Sequence, residues 1–443
     1  MTPHLASIYV LGAMFLIATL WPVNMGVLAY VGAFLVGTFG AGLSTKEILA
    51  GFPGGLFLTL VGITYLFALA QTNGTIDWLV QLSVKAVRGR IAAIPWIMFG
   101  ITAGLTALGA VSPAAVAIIA PIALRFSFRH GINPLLMGLL VIHGAQAGGF
   151  SPISIYGGIT NLIVKQAGLP LNEAFTFLAS FGVNLAVAIV LFLTMGGRRV
   201  FNVKSRAEES MPGAPFGDSG SEVCMEENIG QKGGVALMET QVAKPQVCGG
   251  RFYQAITLAG LIVLAVLVLA YKIDVGFAAL TIGLVISLIA PGTQKNAIGQ
   301  VSWPEIMLIT GVSTYVAVLE KMGTISHVGQ SVATLNSPLW AALLLCFIGA
   351  IVSAFASSTA VLGSLIPLAV PFLKAGSGID AVGFIAAMAV ASTIVDVSPF
   401  STNGAIVLAT AKDGDTFYRK LIGYGALVTL AAPLILWLLF IVL

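Results

Sequence analysis

Ser151-Pro152-Ile153-Ser154-Ile155-Tyr156-Gly157 interrupts one long apolar run, and Ser398-Pro399-Phe400-Ser401-Thr402-Asn403-Gly404 interrupts another. Both read Ser-Pro-x-Ser-x-x-Gly, 247 residues apart (398 minus 151). At the same spacing Ser112 falls on Thr359. Pro121 meets Pro367 within one residue, and Gly74-Thr75-Ile76 meets Gly323-Thr324-Ile325 two residues off that spacing. Matches in the same order at nearly one spacing indicate an internal duplication.

The material around these motifs is membrane material. Of 443 residues, 58% are hydrophobic and only 9% charged, against about 25% charged in a soluble domain. Many apolar runs reach the roughly 17–25 residues that cross a bilayer as a helix. Gly is frequent, at 51 residues, as expected where membrane helices pack closely or break. The net charge of +4 is no nucleic-acid signal, because the basic residues sit between apolar spans. Cys224, Cys248 and Cys346 form neither a disulfide framework nor a metal spacing. No basic stretch precedes the first apolar run, which therefore reads as a permanent helix. There is no His-Glu-x-x-His and no pair of aspartates on the spans, so no catalytic centre is visible and an enzyme is not expected.

The pattern predicts an all-α polytopic membrane protein, an inverted-repeat transporter with about ten spans, two opposed re-entrant hairpins and two broken helices. Residues 1–195 form the first repeat, with a hairpin over 91–124 and a span over 133–164 broken at Gly148-Gly149-Phe150-Ser151-Pro152. Residues 196–251, polar and without apolar periodicity, form a linker. Residues 252–443 form the second repeat, with a hairpin over 339–373 and a broken span over 381–411. Interfacial helices are expected at 76–88 and 324–335. Five spans per repeat force the copies into opposite orientations. Alternating the loops then leaves Lys46, Lys165, Lys272, Lys321 and Lys374 on one side and the rest of the 21 Lys and Arg residues on the other. By the positive-inside rule the basic side is the cytoplasm. The linker is then cytoplasmic, both termini are outside, and the membrane is the cell inner membrane.

Ser is a good helix cap, and Pro suits the first helical position. Ser112-Pro113, Ser151-Pro152 and Ser398-Pro399 therefore read as starts of half-helices. Ser357-Ser358-Thr359 offers the same capping chemistry without Pro. Such starts carry free N–H groups and a partial positive charge, which suit an anion. No Lys or Arg lies at membrane depth in either broken element, so a bound anion would rely on helix ends, hydroxyls and a co-bound cation. Asp396, a carboxylate inside an apolar stretch, is the candidate for that cation. His143 reads as a structural hydrogen-bonding residue, Tyr65 and Tyr315 as packing or belt residues, and Glu305 and Glu320 as interfacial.

The run from Val141-Ile142-His143-Gly144-Ala145-Gln146 through the first motif to Gly158-Ile159-Thr160-Asn161 resembles the MatC-type malonate/dicarboxylate carriers. So does Asn73-Gly74-Thr75-Ile76-Asp77-Trp78-Leu79-Val80. The resemblance is densest over residues 1–195. It implies membership of an ion transporter superfamily that includes divalent anion/sodium symporters, with a scaffold, a moving transport domain and usually a homodimer. In those symporters Ser-Asn-Thr triplets at the hairpin tips bind carboxylate and frame Na⁺. Ser357-Ser358-Thr359 matches the second triplet with Ser in place of Asn, whereas Val111-Ser112-Pro113 departs from the first.

The expected function is secondary active import of a small dicarboxylate such as malonate across the lipid bilayer, coupled to Na⁺ or H⁺, by an elevator-type movement. A Na⁺/H⁺ antiporter of the same superfamily is the alternative. Substrate-binding candidates are Ser112, Ser151, Ser154, Asn161, Ser357, Ser358, Thr359, Ser398, Ser401 and Asn403. The Ser-Pro breaks are expected to carry more of the grip than the hairpin tips. Ion-coupling candidates are Asp396, Thr106 and Gly148. No cofactor beyond the coupling ion and no metal is expected.

Overall fold

The computed structural model describes residues 3–196 and 251–442, apart from 22, 77, 80, 81, 83–90, 325, 326, 328–337, 356, 375–377, 412 and 413. The linker, both expected interfacial helices for the most part, Cys224 and Cys248 lie outside the described residues. Among the described residues all regular structure is helical. The first half holds α1 (Pro3–Leu20), α2 (Met25–Leu35), α3 (Thr45–Leu49), α4 (Gly54–Thr72), α5 (Ile94–Ala107), α6 (Ser112–His130), α7 (Pro134–Gly148), α8 (Ile155–Gln166) and α9 (Glu173–Thr194). The second holds α10 (Arg251–Leu269), α11 (Val275–Ile289), α12 (Pro291–Gly299), α13 (Trp303–Lys321), α14 (Pro338–Ser353), α15 (Ser358–Lys374), α16 (Ala381–Ile394), α17 (Thr402–Thr410) and α18 (Gly414–Trp437). Each helix of the first half corresponds to the one nine places later. The short helices α3 and α12 were not expected from the sequence.

Matching residues begin matching helices. Asn24 caps α2 by accepting from the Gly26 N–H, and Asp274 caps α11 by accepting from that of Phe277. Asn133 and Asp380 do the same for α7 and α16. Each cap satisfies a donor that the helix end leaves unpaired. Helices α7 and α16 are buried on every face, as an evenly apolar helix at the centre of a bundle must be. Among the described residues five helices are long and apolar enough to cross a bilayer, and eight more apolar helical segments are shorter. The chain is a multi-pass membrane protein.

The two halves are exchanged. Helix α2 packs along α13 of the other copy, and α11 packs along α4. A Cβ on Gly26 would overlap the Met307 carbonyl, and one on Gly276 would come within 2.7 Å of the Thr59 nitrogen. Glycine at both positions lets the backbones touch, as small residues do between membrane helices. A second exchange joins the rest: α6 packs on α17, and α8 on α15. Reciprocal contacts of this kind are those of two copies related by a two-fold. The molecule thus has an interlocked group, α2, α4, α11 and α13, beside a group made of the two helical hairpins (α5–α6 and α14–α15) and the two broken helices (α7–α8 and α16–α17).

Candidate functional site

The breaks are built the same way in both copies, though differently from the sequence reading. Ser151 and Ser398 do not begin helices. Each opens a β-turn: the Ser154 N–H bonds to the Ser151 carbonyl at 2.9 Å, and the Ser401 N–H to that of Ser398 at 3.1 Å. Pro sits second in each turn, where its fixed φ fits. The helices start one turn later, with Ser154 and Ser401 as the N-cap residues of α8 and α17. The motif glycines close the arrangement, because a Cβ on Gly157 or Gly404 would overlap the carbonyl of Ser151 or Ser398.

The motif hydroxyls serve backbone. Ser151 Oγ donates to the Ala107 carbonyl at 2.8 Å, and Ser398 Oγ to that of Ala354 at 2.7 Å. Those carbonyls end the first arm of each hairpin, where the helix supplies no partner. Ser154 Oγ reaches the Gly149 and Ser151 carbonyls, and Ser401 Oγ lies 2.7 Å from the Ser398 carbonyl. These four serines tie each break to its own hairpin or to its own turn. The hydroxyls expected to hold substrate at the Ser-Pro breaks thus have their donors on backbone carbonyls.

The hairpin tips meet the opposite breaks. Asn403, at the start of α17, donates its side-chain amide to Ser112 Oγ at the start of α6, 2.8 Å away. Tyr156, at the matching place in α8, has its hydroxyl in hydrogen-bonding reach of Ser358 and Ser112. Ser357 Oγ and Thr359 Oγ1 lie 2.7 Å apart, and Ser353 Oγ and Ser358 Oγ 2.9 Å apart. Helix α6 starts behind Val111 with no side-chain cap.

Asp396 breaks the symmetry. Its carboxylate, 2% exposed, accepts from the Asn403 N–H at 3.1 Å and also meets the Thr402 N–H and the Ser358 and Ser401 hydroxyls. At the matching position of the first copy stands Gly149, whose main-chain carbonyl takes the Ser154 hydroxyl and the Gly157 N–H. A carboxyl group in one copy thus occupies the place of a main-chain carbonyl in the other. The positive end of α17 is met inside the protein, so this helix start does not await an external anion. Asn403 Oδ1 is buried without a hydrogen-bond partner. With its amide nitrogen on Ser112, Asn403 offers the site an acceptor. An acceptor suits a cation or a proton and not a carboxylate substrate.

A cavity of about 130 Å³ opens at this point, lined by Tyr156, Ser357, Thr359, Asp396, Thr402, Pro113, Asn24, Pro304, Glu305 and Leu308. Among the described residues no Lys, Arg or His is in its wall. Water occupies roughly 30 Å³ per molecule, so the space suits a small solute. Of the expected residues, Ser357, Thr359 and Asp396 line the cavity, while Ser112 and Ser358 stand directly behind it. Asn161 lies farther along α8, outside the wall. Thr106 donates to the Thr102 and Ala103 carbonyls at 3.1 Å, and Gly148 packs against it, but neither lines the cavity. Tyr156 and Glu305 were not chosen as site residues from the sequence. The match between Tyr156 and Asn403 across the repeat was the available signal for the first. His143 is a tie: Nδ1 meets Asn184 Oδ1 at 2.8 Å and Nε2 meets the Tyr424 hydroxyl at 2.7 Å, linking α7, α9 and α18. A larger cavity, about 490 Å³, lies at the α6–α7 corner and contains none of these residues.

Residues 1–149 match the family model described as the N-terminus of the dicarboxylate carrier protein MatC. The match covers the first third of the chain. No curated protein sequence matches it. Among solved structures, the chain is similar to the Alcanivorax borkumensis YdaH transporter, reported to have an unusual topology, with a TM-score of 0.56 and 14% identity over 88% of this chain and 86% of that one. It is also similar to Neisseria gonorrhoeae MtrF, described in connection with a class of antimetabolite efflux pumps, with a TM-score of 0.54 and 13% identity over 99% of this chain and 95% of that one. At such identity the likeness is one of fold. A carrier-family match over the first third of the chain thus goes with a fold shared with transporter structures over nearly its whole length.

Proposed function

We propose that this chain imports a small dicarboxylate such as malonate, driven by co-transported Na⁺ or H⁺. The observation that carries this reading is the cavity in which hairpin-tip hydroxyls and helix starts face buried Asp396, with no basic side chain in the wall. A dianion brought beside an ionised carboxylate would be repelled by about 4 kcal/mol for each pair of unit charges 4 Å apart at an effective dielectric of 20. Neutralising Asp396 with a proton or Na⁺ removes that repulsion, so cation binding precedes and favours dicarboxylate binding. Ser357, Thr359 and the uncapped start of α6 are the groups that hold the carboxylates. Asp396 and Asn403 Oδ1 are the groups that hold the cation.

The division into an interlocked group and a hairpin group supports an elevator movement, in which the second slides against the first. The charge distribution favours an inner-membrane location, a cytoplasmic linker and both termini outside. The resemblance to the symporters favours a homodimer. Uptake of radiolabelled malonate into proteoliposomes tests the reading. Accumulation is expected under an inward Na⁺ or H⁺ gradient, and no uptake under either gradient would remove it.

A further inference from the structure

Two carboxylates depart from the repeat, and both reach the same cavity. Asp396 stands where the first copy has Gly149. Glu305 stands where the first copy has Leu56, a core residue 2% exposed. Glu305 is half-buried near the start of α13 and lines the cavity with Asp396. Tyr156 lies within electrostatic reach of both carboxylates. Among the described residues the cavity wall carries no cationic side chain, and Asn403, whose N–H meets Asp396, keeps its Oδ1 buried without a hydrogen-bond partner. At the Glu305 end the cavity meets the starts of α2 and α13, where the Asn24 amide donates to the Pro304 carbonyl at 2.9 Å. The charge distribution assigns those helix starts to the cytoplasmic side.

We propose that Glu305 is the relay through which the coupling cation passes between Asp396 and the membrane face on which α2 and α13 begin. This rests on the reading of Asp396 as the coupling site. For a proton, the O–H bond at Asp396 breaks and one forms at Glu305, directly or through the Tyr156 hydroxyl, and the proton then passes to water. For Na⁺, the ion exchanges the Asp396 oxygens for those of Glu305 without any covalent change. Asp396, Tyr156 and Glu305 are the titratable groups in the cavity wall. Tyr30, which α2 sets against α13, donates to Thr310 at 2.7 Å farther along that helix. A lone carboxylate deep in a membrane protein exchanges its cation slowly, because leaving it uncompensated is costly. A second carboxylate nearer the exit shortens that step. It also gives a symmetric scaffold a preferred direction of release.

The experiment uses membrane vesicles of fixed orientation holding the full chain, with radiolabelled malonate and with Na⁺ and pH varied separately on each face. Wild type must first show cation-driven uptake; if it does not, the proposed function fails and not this inference alone. Glu305→Gln is expected to slow uptake about tenfold, or about 1.4 kcal/mol on the barrier. It should shift the cation dependence on the cytoplasmic face and leave that on the outer face unchanged. Glu305→Asp should restore most of the rate. Shifts only with pH would identify the proton, and shifts only with Na⁺ the metal ion. Unchanged rate and unchanged cytoplasmic dependence in Glu305→Gln would overturn the proposal, as would equal shifts on both faces. If Glu305→Gln fails to fold, the Glu305→Asp variant reads the same two dependences, and a purely structural role would leave them as in wild type.

Discussion

The Ser398 hydroxyl donates to the Ala354 carbonyl at 2.7 Å, and this bond fastens the second break to the tip of the second hairpin. Ser151 and Ala107 repeat it in the first copy. Ser398→Ala leaves a buried carbonyl without a donor, which costs about 1–3 kcal/mol. A lowered thermal midpoint in detergent is the expected result, with Ser151→Ala close behind. Dicarboxylate affinity should change less than stability, because neither hydroxyl faces the cavity.

The opposite pattern is expected at the second hairpin tip. Ser357→Ala and Thr359→Val remove hydroxyls from the cavity wall. Losing one hydrogen bond to a charged ligand costs about 1.5–3 kcal/mol. The half-saturating concentration of malonate should therefore rise by roughly tenfold or more, with the thermal midpoint little altered. Concentration-dependent uptake in proteoliposomes makes the comparison.

Asp396→Asn keeps the size of the side chain and removes its charge. Its carboxylate meets the Asn403 N–H, and the amide oxygen of Asn preserves an acceptor there. Folding should survive, while malonate uptake should no longer follow an imposed Na⁺ or H⁺ gradient. Downhill exchange of labelled for unlabelled malonate should remain, since the repulsive charge is gone. Continued gradient-driven accumulation would show that the cation sits elsewhere.

Close backbone contact between the copies makes a stability prediction. Gly26→Leu or Gly276→Leu forces side-chain atoms into the neighbouring helix. Overpacking of that kind costs about 1–3 kcal/mol, occasionally more. Gly54→Leu is the control, because no atom lies within 4 Å of where its Cβ would be. Fluorescence-detected size-exclusion chromatography after heating separates the three variants.

The repeat, the two hairpins and both breaks were legible in the sequence because a constant spacing survives divergence. The hairpin arms α14 and α15, Pro338–Ser353 and Ser358–Lys374, fall within one residue of the expected 339–373 limits. The meaning of Ser-Pro was misread for a definite reason. A helix cap and a β-turn both favour Ser first and Pro next, and only the hydrogen bond from the Ser154 N–H to the Ser151 carbonyl separates them. Contacts between the copies were illegible. Asn403 touching Ser112 across 291 residues leaves no periodic trace in either segment. Glu305 was read as interfacial because it lies near a span end. Its place in the cavity depends on how α13 meets the hairpin group, which no local pattern encodes.

The exchange of α2 with α13 and of α4 with α11 also bears on synthesis. Neither half owns the surface against which its own glycine-lined helices rest. A chain released at the linker would present Gly26 to lipid with nothing to close on it. The first half therefore has to remain in the membrane as a loosely assembled precursor until α11 and α13 arrive. By the same logic, the two halves made as separate polypeptides should find each other, because each is the other's missing template.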